Sequence, residues 1–265
     1  MSCCLNILIN ACSKSLPSIT NLLLTLPRLG NPYLSQSVYS ILSDLFSAPA
    51  EDEASHVTDE IPAVLRVVLS SPPSKADATL SPAWVRVLGN AMLAYSVVNS
   101  DACATELGRV WKTVWSFLES NHSATRKASA ESLDLLSQCF TLTLIQEAIQ
   151  EVKAGKAEPK SVLGSVIFQT NKALDSLAFA RSMPELLTVI SSLITNLRYR
   201  EGDRKATLTA EPLLLPLIQR IGDLRTEKMF EHKEAADATL ATAMRVLGPE
   251  MLLKILPLNL EPADR

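Results

Sequence analysis

Arg198-Tyr199-Arg200-Glu201-Gly202-Asp203-Arg204-Lys205 is the segment of this chain whose residue types could act on a charged partner. Arg and Lys neutralise phosphates or carboxylates, and a tyrosine ring can stack on an unpaired base. Arg198, Tyr199, Arg200, Arg204 and Lys205 are therefore the candidate contacts to RNA or to an acidic partner. Glu201 and Asp203 interrupt the run and weaken its field. Cations just past a helix end also complement the helix dipole, so a solvated inter-repeat loop is the competing reading. A second basic set, Arg220, Arg225, Lys228 and Lys233, is interleaved with acids and reads as a solvated face.

Bond-making chemistry needs converging groups, and the sequence offers none at recognisable spacing. His56, His122 and His232 are isolated from one another and from cysteine, and each reads as a loop or helix-end residue. The five cysteines, Cys3, Cys4, Cys12, Cys103 and Cys139, are odd in number and show no repeated CxxC. That pattern fits buried reduced thiols in an intracellular protein, not a disulfide framework or a zinc site. The glycine signatures of phosphate, dinucleotide and nucleophile-elbow loops are absent. No catalytic site, cofactor, metal or small-molecule substrate is expected. The net charge of −3 gives no global pull towards nucleic acid, so any RNA contact must be local. The apolar N-terminus lacks a basic region and a cleavage site, which argues against a signal peptide. No unbroken apolar run reaches the roughly 18 residues of a membrane span, so no membrane partner is expected.

The elements that must position these residues are helices. With 47% apolar residues, few aromatics and only 8 glycines, the composition is that of a helical array. Short helices are expected over 4–13 and 16–26. Asn31-Pro32 opens another, with Leu34, Val38, Ile41, Leu42, Leu45 and Phe46 as its core stripe. An acidic linker follows near 47–60. Ile61, Val64, Leu65, Val68 and Leu69 form the next apolar set, before a loop at 70–82 containing Pro72-Pro73. A strong helix then carries Trp84, Val87, Leu88, Ala91, Tyr95 and Val98. One helix is expected over 101–119, with Trp111 in the core and Trp115 towards the stripe's edge, free to pack on the next repeat. Over 123–140, Ser123 is the candidate N-cap, and Ala124, Ala128 and Ala130 allow close helix approach. Helices are further expected over 141–153, 159–181, 185–198, 210–224 and 227–247, with a loop at 200–209.

The last of these ends in a corner. Leu240, Ala243, Met244 and Leu247 lie on one face, Gly248 supplies a left-handed stop, and Pro249 starts a helix bearing Met251, Leu252, Ile255 and Leu256. Helix pairs recur at roughly forty residues, within the range of HEAT-type arrays. The expected fold is all-α: one right-handed HEAT/armadillo-like α-solenoid over 1–265, built of antiparallel helix pairs.

The wording of the corner, VLGPEMLLKILPLNLEP (Val246–Pro262), resembles the ribosomal RNA-processing protein 12 family, large nucleolar HEAT-repeat proteins of ribosome biogenesis. SLPSITNLLLTLPRLGNPYLSQSVYSILSDLFSAP (Ser15–Pro49) and NLRYR (Asn196–Arg200) are similar to the same family. Arg126-Lys127 resembles the basic position of HEAT second helices, which implies a structural role there. The resemblance implies a scaffold in pre-rRNA processing, small-subunit precursor maturation and pre-ribosome export. It further implies a nuclear and nucleolar location with shuttling, and partners among pre-ribosomal particles, Ran and karyopherins. It also implies that the chain is a segment of a longer protein. A HEAT-type adaptor of nuclear transport with no RNA contact is the alternative.

Overall fold

A computed structural model describes residues 22–47, 55–155, 158–199 and 210–257. Among them there is no strand. The helices are α1 (Pro32–Ser47), α2 (Ser55–Ser70), α3 (Leu80–Val98), α4 (Ser100–Trp115), α5 (Ser123–Ser137), α6 (Leu142–Lys153), α7 (Val162–Leu174), α8 (Met183–Asn196), α9 (Glu211–Thr226), α10 (Lys233–Leu247) and α11 (Pro249–Ile255). They form two compact units, Met1–Cys139 and Phe140–Arg265.

In the first unit, α1, α3 and α5 pack side by side, while α2 and α4 pack against α3, and α4 also against α5. Small and polar residues let the backbones approach. A Cβ built on Gly89 of α3 meets Ser132 Cβ of α5 at 2.9 Å and Ser132 Cα at 3.0 Å. Ser132 Oγ donates to the Val85 carbonyl of α3 at 2.9 Å. On the other side of α3, Asn90 Nδ2 donates to the Ser43 carbonyl and Oγ of α1 at 3.2 and 2.8 Å. These partners stand 47 residues apart in sequence, which is the repeat spacing made visible. Between these layers sit Trp84, Trp111 and Trp115, all 2% exposed or less. Trp84 Nε1 donates to the Val68 carbonyl at 3.1 Å, and its ring lies 5.2 Å from that of Phe117.

In the second unit, α8 packs on α10 and α7 on α9, with α6 against α7 and α9. The spacing is similar: Ser191 and Thr239 are bonded at a separation of 48 residues, and Arg220 reaches Asp175 at 45. The core is aliphatic. Leu186, Leu187, Ile190, Leu193, Ile194 and Leu197, the stripe expected from the sequence, are all 1% exposed or less.

Several expectations change in detail. Asn31 does cap α1, its Oδ1 accepting from the Tyr33 and Leu34 amides. The stripe of α1 is rotated, however: Tyr39 is buried and Ile41 is 43% exposed, with Ser43 turned towards α3, where it bonds Asn90. The first linker is shorter than expected, since α2 already begins at Ser55. Likewise the second loop ends at α3's start, Leu80, with Asp77 Oδ1 accepting from the Thr79 and Leu80 amides. Val98 is 46% exposed.

The expected 101–119 helix tightens to a 3-10 turn over Ser116–Glu119. Trp115 is a core residue stacked on Trp111, ring centroids 6.5 Å apart, and not an edge residue. His122, not Ser123, holds the N-cap position of α5, and Ala124 is exposed, while Ala128 and Ala130 are buried with Ser129 and Ser132 on the same helix. The 159–181 helix starts only at Val162, capped by Ser161, and breaks after Leu174 into a 3-10 stretch, Leu177–Ser182. The 227–247 helix starts at Lys233. Gly248 has φ 89° and ψ 156°, a glycine conformation but an extended one, so it reverses the chain without a left-handed cap. Met244 is 44% exposed, and Leu256 instead covers Gly222 of α9. The helices expected over 4–13 and most of 16–26 lie outside the described residues.

Candidate functional site

The candidate contact segment leaves α8. Pro184 occupies the first turn of that helix, where its missing N–H is harmless, and the apolar stripe carries it to Asn196. The Leu197 amide donates to the Leu193 carbonyl at 3.0 Å, while Leu197 itself turns extended with its side chain fully buried. That anchor sets the next two residues. Arg198 is exposed and Tyr199 half-buried. Ala210, also fully buried, stands immediately ahead of α9. Arg200, Arg204 and Lys205 lie outside the described residues. The structure therefore places Arg198 and Tyr199 together at the C-terminal exit of α8.

The second basic set divides. Arg220 pairs with Asp175 at 2.6 Å and Glu227 at 3.4 Å, joining the turn after α7 to the turn after α9. Burial lowers its guanidinium pKa, but Asp175 and Glu227 outweigh that and raise it overall. Arg225 pairs with Asp237. Lys228 and Lys233 are exposed. The two arginines hold helix pairs to each other, in keeping with a structural face. Arg126 behaves likewise in the first unit, its Nη1 donating to the Ser120 and Asn121 carbonyls at 3.1 and 3.2 Å.

His122 and His232 both precede helices, with His232 edge-on to Phe230 at 6.0 Å. The side chain of His56 lies outside the description. Among the described residues, no three His, Cys, Asp or Glu side chains converge as a metal site. A cavity of about 120 Å3 opens in the first unit, lined by Pro62, Leu69, Tyr95 and Thr105 with Arg66 and Arg109 at its edge. Arg109 is 4.0 Å from Glu106, which also lines it, so its charge is balanced locally. Among the described residues, one helical stretch, Leu177–Asn196, is long and apolar enough to cross a membrane by length and composition. Buried residues make up 61% of it, as in a core helix.

Two arrangements went unseen in the sequence. Glu151 of α6 is 9% exposed, and its carboxylate accepts from the Lys160 and Ser161 amides and from Ser161 Oγ at 2.6 Å, fixing the start of α7. Cys103 and Cys139 are buried free thiols brought to the same backbone oxygen. In both cases the only signal was a residue type unusual for its face, a carboxylate or a thiol on an apolar stripe.

Comparison with known proteins agrees with this architecture. The family described as ribosomal RNA-processing protein 12, HEAT repeats, matches residues 119–265, more than half of the chain. Saccharomyces cerevisiae ribosomal RNA-processing protein 12 is 21% identical over 256 residues, covering 94% of this chain and 20% of the yeast protein. A Schizosaccharomyces pombe relative of that designation is 26% identical over 193 residues, 73% of this chain and 15% of its own length. Human RRP12-like protein is 24% identical over 195 residues, 72% of this chain and 14% of its own length. The aligned region is thus a fifth or less of each of these relatives.

Proposed function

The chain belongs to the ribosomal RNA-processing protein 12 HEAT-repeat family, and from that premise we propose that it is a non-catalytic helical-repeat scaffold in ribosomal RNA processing. The observation that carries the reading is the family match over 119–265, on a chain whose helix pairs stack at the HEAT spacing. Stacked helix pairs present long surfaces suited to large protein or ribonucleoprotein partners. Pre-ribosomal particles are the proposed partner. Small-subunit precursor maturation, pre-ribosome export with Ran and karyopherins, and a nuclear and nucleolar location with shuttling complete the proposal.

Within it, Arg198, Tyr199, Arg200, Arg204 and Lys205 are the contact to RNA or to an acidic protein surface. The exposure of Arg198 beside Tyr199 supports this. The adaptor reading has its own support: the net charge is −3, and Arg220 and Arg225 are neutralised by acids.

The test is an affinity purification of the tagged full-length protein from its cells, with and without nuclease. Small-subunit precursor rRNA and its assembly factors should be recovered. Transport factors without pre-rRNA would move the assignment to the adaptor. In vitro, RNA affinity should fall steeply with salt, and neutralising Arg198, Arg200, Arg204 and Lys205 together should flatten that slope.

A further inference from the structure

Cys103 lies on α4, and Cys139 follows the end of α5. They are 0% and 4% exposed. Three helices bring them together: both thiols point at the Met92 carbonyl of α3, with Sγ–O distances of 3.5 Å from Cys103 and 3.7 Å from Cys139. Burial alone accounts for a cysteine acting as a small apolar residue. It does not account for two of them, from segments far apart in the sequence, converging on one backbone acceptor.

We propose that Cys103 and Cys139 form an oxidisable dithiol, a modification site that hydrogen peroxide converts into an intramolecular disulfide. The proposal is independent of the ribosomal reading. Cys139 is the sulfur that reacts first: it is 4% exposed against 0% for Cys103, and its pKa is lowered beside Cys103 although burial opposes this. The neighbouring Cys139 and burial both raise the pKa of Cys103, so it stays protonated. The Cys139 thiolate attacks the peroxide O–O bond, forming a sulfenic acid and releasing hydroxide, which takes up the proton Cys139 had lost and leaves as water. Cys103 sulfur then attacks the sulfenic sulfur. The S–O bond breaks, the S–S bond forms, and the departing hydroxide leaves as a second water with the Cys103 proton. Overall, two thiols are oxidised by two electrons and one peroxide is reduced to two waters. The bond ties α4 to the end of α5 and closes the intervening loop, which stabilises the first unit by restricting its unfolded state.

The experiment uses the full chain with Cys3, Cys4 and Cys12 replaced by Ser, so that only this pair remains of the 5 cysteines. The folded protein is treated with hydrogen peroxide, then unfolded, its thiols counted and its peptides mapped by mass. The expected result is loss of both thiols, a cross-linked Cys103–Cys139 peptide pair lacking two hydrogens, and full reversal by dithiothreitol. Tryptophan fluorescence should report a melting temperature higher by about 5 °C in the oxidised form. In Cys103→Ser, Cys139 should instead be trapped as a sulfenic acid by dimedone. Thiols that survive peroxide in the folded chain and react only after unfolding would overturn the proposal. So would separate sulfinic acids with no cross-link. If Cys103→Ser fails to fold, the peroxide result on the intact pair decides alone.

Discussion

The two units build the same repeat from different materials. In the first, α3 and α5 meet through Gly89 and Ser132, and three tryptophans fill the space between the layers. In the second, α8 and α10 meet through the Ser191 and Thr239 hydroxyls at 3.2 Å, and the core is leucine and isoleucine. The turns differ as well. Lys75 and Ser120 join the first unit's turns, Lys75 Nζ bonding Glu119 at 2.8 Å and Ser120 Oγ donating to the Lys75 carbonyl at 2.6 Å. Arg220 spans the second unit's turns with two carboxylates. A helical repeat therefore needs a spacing and a close approach, and either backbone contact or side-chain packing can supply the approach. The family match begins at residue 119 and so takes in the aliphatic unit and the last helix of the tryptophan-rich one.

All 3 tryptophans, Trp84, Trp111 and Trp115, lie in the first unit, so their fluorescence reads that unit alone. This makes the comparison breakable. The largest effect is expected for Trp84→Ala. It removes a fully buried ring and its hydrogen bond to Val68, and should cost the first unit about 4 kcal/mol. Chemical denaturation followed by the fluorescence of the two remaining tryptophans measures it. A change under about 1 kcal/mol would mean the aromatic filling is dispensable.

A matched pair of glycine substitutions comes next. Gly89→Ala sets a Cβ against the Ser132 backbone at 3.0 Å, which only a helix shift can relieve. Overpacking of that kind should outweigh the roughly 1 kcal/mol of helix propensity gained, for a net loss of about 1–2 kcal/mol. Gly222→Ala in α9 meets only the far end of the Leu256 side chain. That side chain can rotate away, so the same substitution should fall within about 1 kcal/mol of neutral. Equal losses at both sites would erase the distinction between backbone contact and side-chain packing.

Alkaline pH should separate the units more gently. Burial raises the Tyr39 phenol above its ordinary 10.0. The unfolded chain then releases that proton first. The contribution is fully present below pH 10 or so and is lost as pH rises through the folded value. Unfolding free energy from fluorescence should fall above pH 10, and Tyr39→Phe should reduce the fall. An unchanged slope in Tyr39→Phe would place the alkaline sensitivity elsewhere.

What the sequence made legible was local. The stripe of α8, the Asn31-Pro32 start of α1 and the Gly248-Pro249 corner each depend on neighbours within a turn or two, and each stands where expected. What it left dark depends on residues some 47 positions away. Periodicity marks an apolar face but not its edge, so Ile41 stands 43% exposed where a core residue is expected, and Trp115 lies in the core, not at the stripe's edge. Nothing near Gly89 in the sequence announces Ser132 opposite it. The sequence sets the repeat only at roughly forty residues, because positions 47 apart hold different residues, Ser43 facing Asn90 and Val85 facing Ser132. Of the candidate contact, the end of α8 that presents Arg198 and Tyr199 was legible from its stripe. The remaining three residues belong to a segment with no apolar pattern to place them.

The smallest expected effect concerns the turns. Arg220 is 30% exposed in its side chain, and its partners Asp175 and Glu227 are 56% and 53% exposed, so water screens both pairs. Arg220→Gln should cost the second unit no more than about 1 kcal/mol, and less at high salt. Helicity lost on heating, monitored by circular dichroism at two salt concentrations, measures it in the full chain, with tryptophan fluorescence isolating the first unit. The aliphatic stripe of α8 packs on α10 without any help from Arg220, so the second unit should survive its removal. A loss of several kcal/mol would instead make the charged turn, and not the aliphatic core, the element that holds the second unit's repeats in register.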